Sequence, residues 1–278
     1  MANLEEIISQ KAEQDTQWRE RRQADRENTS AMQDAGITEI TTNPEAYARY
    51  LDMQGDNPAY SAGNIALAMV QDPEATIFGT RERWKSLNRG VLDTQRGKGF
   101  KIFTRSTYGR GYTLTEAYDI RQTQGRELRP PVLRDDTKEM AAALRALLNY
   151  APVPVVSDED LPEAAYYDMK ELAINPAFSD SEAFSAIAAE IAHARFHAKG
   201  YNAAYVREDS DLDAQSISYI LCRRFGVRRD VPDLSRLDYL YGGWDAPDRR
   251  SALDQLQTMS KQIGGSIEGD ITPPQRGR

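Results

Sequence analysis

The chain has 278 residues, 40% of them apolar, a mean hydropathy of −0.66 and a formal net charge of −8. That length suits one large or two ordinary domains with a real core, and part of it must be solvated. The lone Cys222 excludes an internal disulfide framework, and no apolar stretch spans a membrane or resembles a signal peptide, so a cytoplasmic location is expected.

Residues 3–35 read as a polar helix, with Asn3 and Glu6 spaced as a capping box and Gly36 as its stop. Its apolar face is thin: apart from Ile7, Ile8, Trp18 and Met32 the segment is charged or amide-rich, so residues 1–36 are expected to be a loosely packed extension without chemistry. From Ile37 the texture becomes that of a compact α+β unit. Asn43-Pro44 opens a helix to about Met53, Ser61 to Val70 forms a second, and Ala75 to Phe78 is a short strand candidate. Thr80 caps a helix carrying Trp84 that Gly90 ends, and Phe100 to Thr104 with Tyr112 to Ile120 reads as a hairpin.

The glycine, proline pair and charges of residues 125–136 suit a connection, which places a domain boundary near Pro130. Beyond it, Asp136 and Glu139 form a capping-box start for a helix to Leu148, and Val153 to Val156 and Tyr166 to Ile174 are strand candidates. Ser179 or Asp180 caps a core-facing helix that Gly200 ends. Further helices follow over Ser210 to Phe225 and Pro247 to Ile263, before a mobile tail over residues 264–278.

Both histidines of the chain fall in one helical stretch, Glu190-Ile-Ala-His193-Ala-Arg-Phe-His197. Glu190, His193 and His197 share a face at the i, i+3, i+7 spacing. The stretch has the form of a zinc-protease His-Glu-x-x-His motif in which Ala189 stands where the first histidine would be. A second cluster is electrostatic. Residues 81–110 hold nine basic residues, Arg81, Arg83, Lys85, Arg89, Arg96, Lys98, Lys101, Arg105 and Arg110, against Glu82 and Asp93. The aromatics Trp84, Phe100, Phe103, Tyr108 and Tyr112 interleave with them. A positive groove with aromatic faces is how single strands are held, with Tyr108 in its Gly-flanked turn as the leading stacker; a solvated charged face is the alternative.

The succession Tyr60-Ser-Ala-Gly-Asn64, Pro73-Glu-Ala-Thr76, Trp84-Lys-Ser-Leu-Asn-Arg89, Gly97-Lys-Gly-Phe-Lys-Ile102 and Tyr118-Asp-Ile-Arg-Gln122 resembles the DNA-binding half of antirestriction ArdC-type proteins of plasmids, other mobile elements and phage-like relatives. Tyr167-Asp-Met-Lys-Glu-Leu-Ala-Ile174, the histidine helix and Asp211-Leu-Asp-Ala214 are similar to that family's zincin half. The resemblance implies an α+β chain of two domains: single-stranded-DNA binding over residues 37–129, and a SprT- or gluzincin-like metallopeptidase domain over 130–263. In that frame Glu190 is the water-activating base if the domain is active, and His193, His197 and Asp211 are the candidate metal ligands. The departures are Ala189 for a histidine and Asp211 for an expected glutamate, and catalytic zinc needs three protein ligands plus water.

Three arrangements therefore compete at Glu190, His193 and His197: a shifted metal site on the two histidines completed by Asp211 or Glu190, a metal-free remnant of the zincin cleft, or an ordinary solvated helix face. The expected function is sequence-tolerant binding of single-stranded DNA, with the degenerate peptidase domain as scaffold or protein-partner surface, no membrane, and no cofactor. The rival is a zinc-dependent peptidase acting on DNA-associated proteins.

Overall fold

The computed structural model describes residues 3–106, 109, 111–198 and 205–271. It opens on α1, Leu4–Thr42, which runs through Gly36 rather than stopping there. The Asn3 side chain makes no capping bond, and the N-terminal half of α1 is exposed while Ile37 and Ile40 are buried. Gly36 serves close approach. A Cβ there would sit 2.9 Å from Val70 Cγ2, so its absence lets α1 pack on α3, Ala62–Gln71. Between them α2, Pro44–Asp56, starts at Asn43, whose side chain accepts from the amides of Glu45 and Ala46.

The first sheet has the order β1 (Phe78–Thr80), β4 (Tyr112–Asp119), β3 (Phe100–Arg105), all antiparallel. The β3–β4 hairpin is as the sequence suggests, pairing Phe100 with Ala117 and Arg105 with Tyr112; the end strand β1 lies two to three residues later than the sequence suggests. The free edge of β3 is closed by side chains. Asn64 and Gln71, seven residues apart on α3, each exchange two hydrogen bonds with the backbone of Phe103 and Lys101 at 2.8–3.0 Å. Two amides at that spacing act as a short strand and cover an edge that would otherwise pair with another chain.

Thr80 caps α4, Arg81–Ser86, as read, but the helix ends before Leu87. Asn88 at φ 57° reverses the chain, and Gly90 lies in β2, Arg89–Val91, paired with β5, Thr123–Gly125.

The second half begins with α5, Lys138–Tyr150, capped by Thr137 rather than Asp136. Its sheet has the order β6 (Val155–Ser157), β8 (Leu172–Ile174), β7 (Ala165–Tyr167). The single strand expected over 166–174 is thus a hairpin. Asp168 accepts from the amides of Lys170 and Glu171, and Met169 takes a left-handed φ of 77°. On this sheet lies α6, Asp180–Ala198, opened by a Ser179–Glu182 capping box.

Against α6 lies α7, Arg207–Phe225, which starts three residues before the expected Ser210. After α8, Leu237–Tyr241, the last helix α9 spans Ala246–Ile271 and carries straight through Gly264, where a flexible tail was expected. A Cβ at Gly264 would lie 2.1 Å from Arg224 Nη1, so glycine leaves room for the Arg224 guanidinium, which pairs with Glu268 one turn on.

The halves share one hydrophobic core. It runs from Ile37, Tyr47 and Tyr50 through Ile187, Leu221 and Phe225 to Leu253 and Ile263. Polar bonds cross it as well: Tyr47 Oη lies 3.1 Å from Ser216 Oγ, and Tyr50 donates to the Leu253 carbonyl at 3.2 Å. Among the described residues no helix is long and apolar enough to cross a membrane.

Candidate functional site

β7 delivers Tyr167 to the middle of α6, and α7 opens at Arg207 beside it, so three elements meet around Glu190. Glu190 is 5% exposed. A carboxylate so placed needs charge and hydrogen bonds on both oxygens, and it has them. Arg207 Nη2 donates to Glu190 Oε1 at 2.5 Å and the Tyr167 amide donates to Oε2 at 2.9 Å. Arg207 also lies over the Tyr166 ring, 4.6 Å from its centroid, and reaches the Tyr167 carbonyl at 3.4 Å.

One turn along α6, His193 is fully buried. Its Nδ1 lies 2.9 Å from the Tyr205 hydroxyl and its Nε2 3.3 Å from Asp211 Oδ1. The ionised carboxylate can only accept, so Nε2 carries a proton toward Asp211, and Nδ1 is engaged by the Tyr205 hydroxyl. His197, half-buried, takes the Tyr167 hydroxyl on Nδ1 at 2.6 Å. Gln215 adds a donor to Asp211 at 3.1 Å.

The charges are mutually supporting. The bond to His193 holds Asp211 below the ordinary carboxylate range despite desolvation. Desolvation opposes the Arg207 charge, yet the bond to Glu190 and its field outweigh this and raise the group above the usual arginine value. Burial pushes the Tyr205 phenol up to about 12 and raises Tyr167 as well, so both remain hydroxyl donors at neutral pH.

These bonds decide what the site can hold. A water-activating base needs a free carboxylate oxygen, and a metal-binding imidazole needs a free, unprotonated nitrogen. Both oxygens of Glu190 are taken, and His193 is engaged at both nitrogens. His193 and Asp211 come together, while His197 is held apart against Tyr167. Among the described residues no group of three or more His, Cys, Asp or Glu side chains is placed to hold a metal ion. The donor set as arranged does not fit a divalent metal; a guanidinium supplies the positive charge beside Glu190.

Three partners of this network were not read from the sequence: Tyr167, Tyr205 and Arg207. Arg207 had a signal. It precedes Asp211 by four residues and therefore shares its helix face. Tyr205 lies outside the helices and Tyr167 at the end of β7, so no helical spacing ties them to the histidines.

The basic segment is divided by the fold. Trp84 is buried, with Nε1 donating to the Tyr118 carbonyl at 2.9 Å, and is a core residue. Arg89 is spent on β5, donating to Thr123 Oγ1, the Thr123 carbonyl and the Arg126 carbonyl. Arg81 bonds the Tyr118 hydroxyl at 2.9 Å, Arg96 pairs with Asp93 at 2.7 Å, and Lys101 pairs with Asp25 of α1 at 2.9 Å. Arg83, Lys85, Lys98 and Arg105 are exposed and form no ion pair with a described acidic residue. Tyr108 and Arg110 lie outside the described residues.

No protein-family profile and no curated protein matches the sequence. The Mn(II)-bound crystal structure of antirestriction ArdC protein from plasmid R388 aligns with a TM-score of 0.52, covering 89% of this chain and 99% of that one at 15% identity. The chain has an ArdC-like α+β fold. A metal-free structure of the same ArdC protein aligns at a TM-score of 0.49 and 15% identity over 88% of this chain and 99% of its own. Mn(II) is a property of that neighbour.

Proposed function

We propose that this protein binds single-stranded DNA without sequence preference, as an ArdC-like antirestriction protein whose peptidase-like half is a scaffold rather than a catalyst. A fold by itself hosts many functions, so the reading rests on side chains. The observation that carries it is the set of exposed cations on the N-terminal half, Arg83, Lys85, Lys98 and Arg105, without acidic partners among the described residues of a chain that is acidic overall. An acidic protein that keeps such cations uncompensated has surface suited to phosphates.

Two features weigh against the peptidase alternative. Glu190 is buried with both oxygens already hydrogen-bonded, and among the described residues no third ligand of the kind that catalytic zinc requires stands with His193 and Asp211. The function then needs no covalent step. Coating a single strand excludes other proteins from it, and the second half, with its buried ionic network, holds the shape of a partner surface.

Fluorescence anisotropy with a labelled oligothymidylate at low salt tests this. Binding should fall steeply as salt rises, with log K against log [salt] declining by about 0.7 for each phosphate neutralised. The joint substitution of Lys85, Lys98 and Arg105 by alanine should flatten that slope. Absence of binding at low salt overturns the proposal.

A further inference from the structure

The N-terminal half of α1 has the composition of an idle extension, yet it lies alongside the β3–β4 hairpin. Arg26 donates to the Tyr112 carbonyl at 2.9 Å and Lys101 pairs with Asp25, so helix and hairpin are tied at two points. On either side of these ties a cavity opens. One, of about 470 Å³, is lined by Trp18, Arg19, Arg22 and Lys101; the other, of about 720 Å³, by Arg105 and Tyr112. Arg26 lines both, so the two adjoin at its side chain and make a groove, crossed by Arg26, that follows α1 from Trp18 to Gln33, roughly 22 Å at 1.5 Å per residue.

The groove has both components that a single strand requires. Trp18 is 58% exposed on a polar helix, which no packing demand explains, and the Arg22 guanidinium stacks 4.7 Å from its ring centroid. That pair offers a flat, cationic face. Arg19, Arg22, Arg26 and Arg105 form no ion pair with a described acidic residue. Six cations line the groove, Arg19, Arg22, Arg26, Lys101, Arg105 and Arg250, against three carboxylates, Asp25, Glu116 and Asp254. Its field is therefore positive, and Tyr112, 55% exposed, adds a second aromatic face along the same track.

We propose that the groove between α1 and the β3–β4 hairpin is the path of the bound single strand, with Trp18 stacking a base and Arg19, Arg22, Arg26 and Arg105 following phosphates. This rests on the reading of the protein as a single-strand binder and extends the contact from the α4 face to one shared with α1. The strand would be gripped at the low end of the ~4–16 nucleotides that such sites cover. The stacking role that the sequence assigned within residues 81–110 falls to a residue more than sixty positions upstream.

The test is anisotropy of a labelled oligothymidylate of about 16 nucleotides with the full chain and three variants: Trp18→Ala, Arg19→Ala with Arg22→Ala, and Lys85→Ala with Lys98→Ala. Residues 18, 19 and 22 are exposed, so these changes leave the fold intact, which far-ultraviolet circular dichroism verifies. Loss of one stacked base weakens binding roughly five- to a hundredfold, with Trp18→Phe largely restoring it. The arginine pair lowers the salt slope by about 1.4. If the wild type binds while Trp18→Ala and the arginine pair bind equally well, the groove is refuted and the DNA reading stands. If the wild type does not bind, both fall.

Discussion

Arg207→Ala tests the claim that a guanidinium, and not a metal, supplies the positive charge beside Glu190. In the wild type Glu190 is 5% exposed and accepts from Arg207 at 2.5 Å and from the Tyr167 amide at 2.9 Å. Removing the arginine leaves a buried carboxylate with one backbone donor. Breaking a buried pair on one side costs about 3–5 kcal/mol; the Arg207 side chain keeps 25% of its surface, so roughly 2–4 kcal/mol is expected here. The second substitution separates this penalty from lost packing. Glu190→Gln in the Arg207→Ala background removes the stranded charge and should recover about half the loss, although each single change is destabilising. Urea denaturation followed by circular dichroism reads all three. A loss below about 1 kcal/mol, or a double variant no more stable than Arg207→Ala, would show that the pair does not hold the site.

Further expectations follow from the same structure. Mn²⁺ or Zn²⁺ added to the metal-free protein should leave the unfolding midpoint in place; binding at a hundred times Kd would add about 2.7 kcal/mol, and a rise of that size that His193→Ala abolishes would refute the occupied-donor account. Asp213, beside buried tyrosines in an aromatic-lined cleft, is pushed from 3.8 to about 7 by desolvation. Its proton is bound more tightly in the folded state, so the stability it gives is present below the unfolded value and is lost as pH rises from about 4 to 7. The full shift corresponds to roughly 4 kcal/mol, and because the cleft is open to water we expect about 1–2 kcal/mol. Asp213→Asn should therefore gain relative to wild type between pH 4 and pH 8 in thermal melts, and a pH-independent difference would contradict this. Asn64→Ala removes two hydrogen bonds to the Phe103 backbone and should cost about 2 kcal/mol, with faster hydrogen exchange at the Phe103 amide; unchanged exchange there would show the edge is closed by other means.

The sequence by itself determined what local chemistry can determine. Asn43, Ser61, Thr80 and Ser179 mark helix starts because a side-chain oxygen must satisfy amides that the first turn leaves free, and those four caps stand in the structure. Alternation and turn residues marked the β3–β4 hairpin, and the i, i+3 spacing placed Glu190 and His193 on one buried face of α6. The α+β architecture was legible in the same way.

Only the tertiary structure decided the rest, because it depends on partners distant in the chain. Gly36 and Gly264 have the look of helix stops, yet each leaves room for a neighbouring element, and no local pattern records who the neighbour is. Trp84 looks like a stacking residue until the Tyr118 carbonyl claims its indole. The polar helix α1 looks idle until the hairpin lies beside it. The same holds for the site: Glu190 is an acid waiting for a metal when read along α6 alone, and a closed ion pair once the start of α7 brings Arg207 within 2.5 Å. A buried charge takes the nearest counter-charge that the fold supplies, and the fold here supplies an arginine.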